Sequence, residues 1–243
     1  MTELENELGA AATNSDTYIS IGVFDGVHLG HRHLLSLLQN KAKQADCASV
    51  VITFYNHPKA ILTPKAKISY LTNLDDKLLL LRSLGIDIVI PITFTNEVAA
   101  LQAKEFVGVL QHCLRMRGLV IGPDFALGNK RGGTPDVLHD LGNEMGFVVT
   151  VADLYKHDNL NFSSSEIRSA LADGNVTMAT LLLGRYYNLT GKVVHGANQG
   201  GDMLGYPTAN IMPSITTTLP KDGIYATWVY VDQRRHLAAT SIG

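Results

Sequence analysis

Cysteine is scarce in this chain of 243 residues: Cys47 and Cys113 are the only two, far apart and in no CxxC pair. That excludes a disulfide framework and a cysteine-rich metal knuckle, and it fits a reducing compartment with each thiol packed as a small apolar group. A surplus of one charge is also lacking, since 20 Lys and Arg face 22 Asp and Glu for a net −2. A duplex-binding protein usually carries a strong basic excess, so nucleic acid is not an expected partner. Long apolar runs are absent too: VVITF and LLLL fall far short of the ~20 residues that span a bilayer. The opening MTELENELGAAATNSD is acidic and polar, without the apolar core of a secretory signal. The expectation is a cytoplasmic protein that works on small molecules without a membrane partner. Internal repeats and low-complexity stretches are missing as well.

What is present is an apolar share of 46% with only 17% charged residues, enough to bury a sizeable core and too apolar for a disordered chain. Against a prior of roughly 150 residues per domain, the length implies between one and two domains. TYISIGVF (17–24), ASVVITF (48–54), IDIVIPIT (86–93), LVIG (119–122) and FVVTVAD (147–153) read as strands. Helical patterns separate them: leucines at helical spacing to Lys43, a helix after the capping pair Thr72 and Asp75, and one long helix over 97–116. Another opens at Thr134-Pro135, with proline at its first position. Strand and helix in alternation predict a doubly wound α/β domain with a parallel sheet.

Beyond Asn161 the texture changes. Two short helices, about 165–172 and 176–183, precede YNLTGKVVHG, TANI and YATWVYVD, which read as β-strands divided by Gly and Pro turns. The expected division is a flexible tail over 1–16, an α/β domain over 17–185 and the start of an all-β domain over 186–243.

The most informative stretch is GVFDGVHLGH (22–31), at the end of the first strand and the start of the first helix. Open α/β sheets bind ligands there, and a helix N-terminus favours anions. Gly22 and Gly26 permit close backbone approach, Gly30 opens the helix, and His28 and His31 fall on one side of its first turn. Imidazole donors at such a place can hold charge building on a transferring phosphoryl oxygen. A plain helix cap and a zinc pair are the competing readings, the latter without a third ligand nearby in sequence. The stretch is neither GxxxxGK[ST] nor GxGxxG.

GVFDGVHLGH resembles the HxGH motif of a nucleotidyltransferase superfamily, in the form found in bacterial bifunctional riboflavin kinase/FMN adenylyltransferases. Further stretches resemble that family in order and spacing. TFYNHP (53–58) is similar to TFxPHP with Asn56 for Pro, and GPDFALGNKRGG (122–133) to GxDFxFGxxRxG with Leu127 for the second Phe. FSSSEIR (162–168) is similar to SSTxIR with Ser165 for Thr. GKVVHGANQGGDMLGYPTANI (191–211) and DGIYA (222–226) resemble the entry to a β-barrel kinase domain.

The resemblance implies that the FMN phosphate attacks the α-phosphorus of ATP, giving FAD and pyrophosphate with Mg²⁺. His28 and His31 would stabilise the transition state, with Ser164 and Arg168 gripping the ATP phosphates. Gly22, Phe24, Asp25, Gly30, Asp124, Arg131 and Ser165 would contact ATP, and Asn56 and His57 the flavin. Bland readings stand beside several of these. Asp124 could be a turn residue, Lys130 and Arg131 solvated charges, Arg168 an exposed helix cation and His57 a strand terminator. In the kinase-like part, Thr208 and Asn210 would hold Mg²⁺ and the loop 200–205 the phosphates of ATP, with Asp202 where the family has Arg. The sequence ends at TSIG, inside a family strand that precedes the general-base Glu for riboflavin. The expectation is an adenylyltransferase with an incomplete, inactive kinase module. The alternatives are another HxGH transferase, against which the PTAN segment speaks, and a nucleotide or flavin sensor without turnover. Oligomeric state is not legible.

Overall fold

The computed structural model describes residues 2–63, 65–157, 160–195, 208–232 and 234–243. The chain forms two compact units, one of residues 1–68 and 74–162, the other of 69–73 and 163–243.

The first unit opens with helix α1 (Glu3–Gly9), which corrects the expected flexible tail. Thr2 and Glu5 form a reciprocal capping box, and Leu4 and Leu8 are buried in the main core. Two leucines four apart make a single apolar stripe, and burying each is worth about 1.5–3 kcal/mol. Glu7 also accepts from the Thr93 amide (2.8 Å) and hydroxyl (2.7 Å).

Then follow β1 (Thr17–Ile21), α2 (Leu29–Gln44), β2 (Ala48–Phe54), α3 (Pro58–Leu62), α4 (Leu74–Ser83) and β3 (Ile88–Ile92). After them come α5 (Asn96–Ala100), α6 (Ala103–Leu114), β4 (Met116–Ile121), α7 (Pro135–Met145), β5 (Val148–Val151) and the short pair β6 (Lys156–His157) and β7 (Leu160–Asn161). The first five strands form one parallel sheet in the order β3-β2-β1-β4-β5. This is the doubly wound sheet expected from the alternation. Side chains on successive strand positions point to opposite faces, so each strand feeds two cores. Ile19, Ile21, Val50, Ile52, Leu119 and Ile121 pack on one face with α1 and α6. Tyr18, Val51 and Val120 pack on the other, with Leu35 and Leu38 of α2 and Leu81 of α4.

The single helix expected over 97–116 is two helices. Leu101 takes an extended conformation, and the Gln102 amide donates to the Glu105 carboxylate at 2.7 Å, restarting the helix as α6. The break frees the Leu101 carbonyl to accept from Asn129 at 2.7 Å, which ties down the loop after β4.

The second unit holds α8 (Ser164–Ala172) and α9 (Val176–Leu183), with Ile167, Leu171, Ala179, Leu182 and Leu183 buried. Antiparallel pairs follow: β8 (Gly191–Val194) with β9 (Asn210–Pro213), and β10 (Gly223–Val231) with β11 (Arg234–Ile242). Of β11 only the TSIG end was expected; the rest of RRHLAATSI is mostly polar, and the strand forms nine register pairs with β10. Residues 69–73 join this unit through Tyr70, whose amide donates to the Thr216 carbonyl and whose carbonyl accepts from Thr218.

Candidate functional site

In the sheet, β1 is followed by β2 on one side and by β4 on the other, so the order reverses beside β1. That reversal opens a crevice at the carboxyl ends of the strands. The segments after β2, β1 and β4, adjacent in the sheet, carry Asn56 and His57, the 22–31 motif, and the 122–133 loop respectively.

The central segment is strained. The Gly22 amide extends the ladder to the Ile52 carbonyl at 3.0 Å, after which Phe24 (φ +49°), Gly26 (φ +80°) and Val27 (φ +39°) turn the chain sharply. Phe24 is buried, its ring edge-on to His31 at 5.2 Å, so it supports the histidine from below. His28 is extended and caps α2: its Nδ1 accepts from the His31 amide at 3.3 Å. In the neutral ring that assigns the proton to Nε2, which makes it a donor. The two imidazoles stack with centroids 3.6 Å apart. Gly30 is what allows this: a Cβ there would lie 3.0 Å from the Phe162 carbonyl and 3.2 Å from the His28 ring.

Burial, then the neighbouring His28, then Lys77 hold the His31 imidazole well below its usual range, so His31 is neutral at physiological pH. The pair therefore presents ring dipoles beside the helix N-terminus, without a full positive charge on His31. Asp25 is buried in the same turn.

Lys77, on α4, is the group that sequence reasoning missed. It is 5% exposed, and its Nζ donates to the carbonyls of Val23 (3.2 Å) and Phe54 (3.0 Å). Burial lowers its pKa to about 8, against a weaker opposing influence from Asp25. The available signal was position: Lys77 lies four residues before Leu81, and these two are the buried residues of α4.

Asn56 is held by the fold. Its amide donates to the Phe94 carbonyl at 2.8 Å and accepts from the Phe94 amide at 2.9 Å, joining the segments after β2 and β3. His57 caps α3, its Nδ1 accepting from Lys59 at 3.1 Å. In the 122–133 loop, Gly128 (φ +75°) passes so close to α6 that a Cβ would meet the Ala103 amide at 2.7 Å. Asp124, Lys130 and Arg131 are exposed, and Arg131 closes the loop by donating to the Asp124 carbonyl at 2.9 Å.

In the second unit, Ser163 caps α8, its Oγ accepting from Glu166 at 3.2 Å, and Ser164 and Ser165 form the first turn. Arg168, one turn on, donates through Nε to the Ser69 carbonyl at 2.9 Å. Thr208 and Asn210 are exposed, the latter on β9. The 200–205 loop with Asp202 lies outside the described residues. Among the described residues no cluster of three or more His, Cys, Asp or Glu could hold a metal, which leaves the zinc reading of His28 and His31 without a third ligand of those types. No helix among them is long and apolar enough to cross a membrane.

The doubly wound sheet and the histidine-capped helix at its switch point define an α/β domain with a candidate anion site. Comparison with known proteins narrows that class. Residues 10–166 match the FAD synthetase family model and residues 183–243 the riboflavin kinase model. A bifunctional riboflavin kinase/FMN adenylyltransferase of Buchnera aphidicola (from Schizaphis graminum) is 37% identical over 216 residues, 88% of this chain and 68% of that protein. One from Escherichia coli K12 is 36% identical over 209 residues, 86% of this chain and 66% of its own length. A crystal structure described as a macrolide-efflux protein from Streptococcus pneumoniae superposes with a TM-score of 0.86 at 30% identity, covering 95% of this chain and 75% of that one. The chain belongs to the bifunctional riboflavin kinase/FMN adenylyltransferase family.

Proposed function

We propose that residues 17–185 transfer the adenylyl group of ATP to the phosphate of FMN, forming FAD and releasing pyrophosphate. The observation that carries this reading is the stacked His28–His31 pair on the N-cap of α2 at the switch point of the sheet. The FMN phosphate is itself the nucleophile, so the protein's work is alignment and stabilisation of charge on the α-phosphoryl oxygens. His28 supplies an Nε2–H, His31 a neutral imidazole, and the free amides of the α2 first turn the remaining donors. Ser164, Ser165 and Arg168 are assigned to the ATP phosphates, and Asp124 and Arg131 to the exposed loop that faces the nucleotide. Gly22, Asp25 and Gly30 shape the nucleotide side, with Phe24 beneath. His57 is retained on the flavin side, whereas Asn56 acts there through the Phe94 backbone it fixes.

Mg²⁺ would neutralise the phosphates during transfer. In the kinase-like part, Thr208 and Asn210 offer a hydroxyl and an amide oxygen from exposed positions two apart. These are hard ligands of the kind that hold Mg²⁺ together with substrate phosphates and water.

The test is to mix the protein with FMN, ATP and Mg²⁺ and follow FAD by the quenching of flavin fluorescence. FAD formation that collapses in His28→Ala while nucleotide still binds supports the reading. Binding without turnover in the wild type would instead favour a sensor. The kinase half is tested apart from this: residues 183–243 match the riboflavin kinase model, and FMN formed from riboflavin and ATP would assign that activity to the chain as well.

A further inference from the structure

We propose that Lys77 is a positioning residue for adenylyl transfer: its ammonium and the Thr53 hydroxyl clamp the Val23 carbonyl, holding the strained turn that sets His28 and His31 in place. This rests on the adenylyltransferase reading and adds to it a residue from outside the motif.

The turn has a backbone bond of its own, from the Val27 amide to the Phe24 carbonyl at 3.1 Å. Phe24 and Val27 both sit at positive φ, +49° and +39°, where an L-residue is strained by its own Cβ. Such a conformation persists only where surrounding contacts over-determine it. Phe24 and Val27 pack in the core, and two side chains from outside the turn meet on Val23, the residue before the first strained position. Its carbonyl accepts from Lys77 Nζ at 3.2 Å and from Thr53 Oγ1 at 3.1 Å. The same ammonium donates to the Phe54 carbonyl at 3.0 Å, so one cation ties the chain leaving β1 to the chain leaving β2. Charge-assisted bonds of this kind are about twice as strong as neutral ones.

A purely structural side chain at this point would be cheaper. Leu81, on the same face of α4, is fully buried, and an apolar residue at position 77 would pack beside it without desolvating a charge. The charge instead faces the site. Asp25 lies close enough to favour the ammonium, and Lys77 in turn disfavours a proton on His31, which stacks on His28.

The experiment compares Lys77→Met, Lys77→Gln and Thr53→Val with the wild type in steady-state FAD formation and in NMR titration of the histidine ring protons. Lys77→Met is expected to lower kcat about tenfold to a hundredfold, the cost of a misplaced catalytic group, with KM for ATP and FMN within about threefold. Its His31 titration midpoint moves upward, since a positive neighbour is gone. Lys77→Gln, which can still donate to a carbonyl, recovers part of kcat. Unchanged kcat and an unmoved His31 titration in Lys77→Met overturn the proposal. Should Lys77→Met not fold, Thr53→Val decides: a severalfold loss of kcat at constant KM supports the clamp, and wild-type kcat overturns it. If the wild type forms no FAD, the adenylyltransferase reading falls, while the His31 titration still decides whether the ammonium governs the histidine pair.

Discussion

β4 and β11 are both well-formed strands, yet they live in different environments. Gly118 to Ile121 of β4 are all buried, between helices on both faces of a parallel sheet. β11 runs mostly exposed through RRHLAATSI, and Leu237 on it is 74% exposed. Backbone pairing and a few cross-strand side-chain contacts order the second, whereas pairing plus two packed faces orders the first. The contrast teaches that strand identity in a sequence says little about how much stability each side chain carries.

The sharpest way to break that comparison is a pair of truncations. Leu119→Ala should cost about 2–5 kcal/mol through lost burial and a cavity, and Leu237→Ala less than about 0.5 kcal/mol. Urea denaturation reads both, and equal effects would mean that β11 is covered in solution. Next in size, His28→Ala should lower kcat for FAD about a hundredfold or more, as loss of a transition-state donor does. Its denaturation midpoint should shift by no more than the cost of a lost helix cap, about 0.5–2 kcal/mol.

A smaller effect concerns pH. Both His31 and Lys77 bind protons less readily folded than unfolded. Stability from His31 is therefore complete above pH about 6.5 and is lost as pH falls. For Lys77 the burial cost is present below about 8 and is relieved as pH rises toward its unfolded value. The urea midpoint should fall from pH 7 to 5, less so in His31→Gln. Between pH 8 and 10, Lys77→Met should lose an upward component that the wild type shows. The smallest effect belongs to the hairpin, where Arg235 lies 4.2 Å from the Trp228 ring centre. Arg235→Gln should cost at most about 1 kcal/mol by thermal melting, and a larger loss would mark this end of the hairpin as more than a surface contact.

The two units also differ in how far they could be read. In the first, ASVVITF predicts a strand over 48–54 and β2 has those bounds, because a strand buried on both faces carries consecutive apolar residues such as Val50, Val51 and Ile52. Thr134-Pro135 likewise marks the start of α7. The break at Leu101 was not legible: alanines and leucines continue the helical period through it, and the carbonyl it frees accepts from Asn129, distant in sequence. Within the site, His28, His31 and Gly30 were legible because their spacing fits one helical turn. Asn56 follows the strand read over 48–54, but its engagement by Phe94 depends on β3 pairing beside β2.

By itself the sequence determined the parallel α/β domain, the two short helices after it and the histidine motif at the first strand's end, since periodicity and close spacing are local properties. Only the tertiary structure decided that the N-terminus docks as α1, that the 97–116 segment breaks, and that Lys77 reaches the carbonyls beside the histidines. Each of those depends on groups brought together from distant parts of the chain, where burial and hydrogen bonding override local preference.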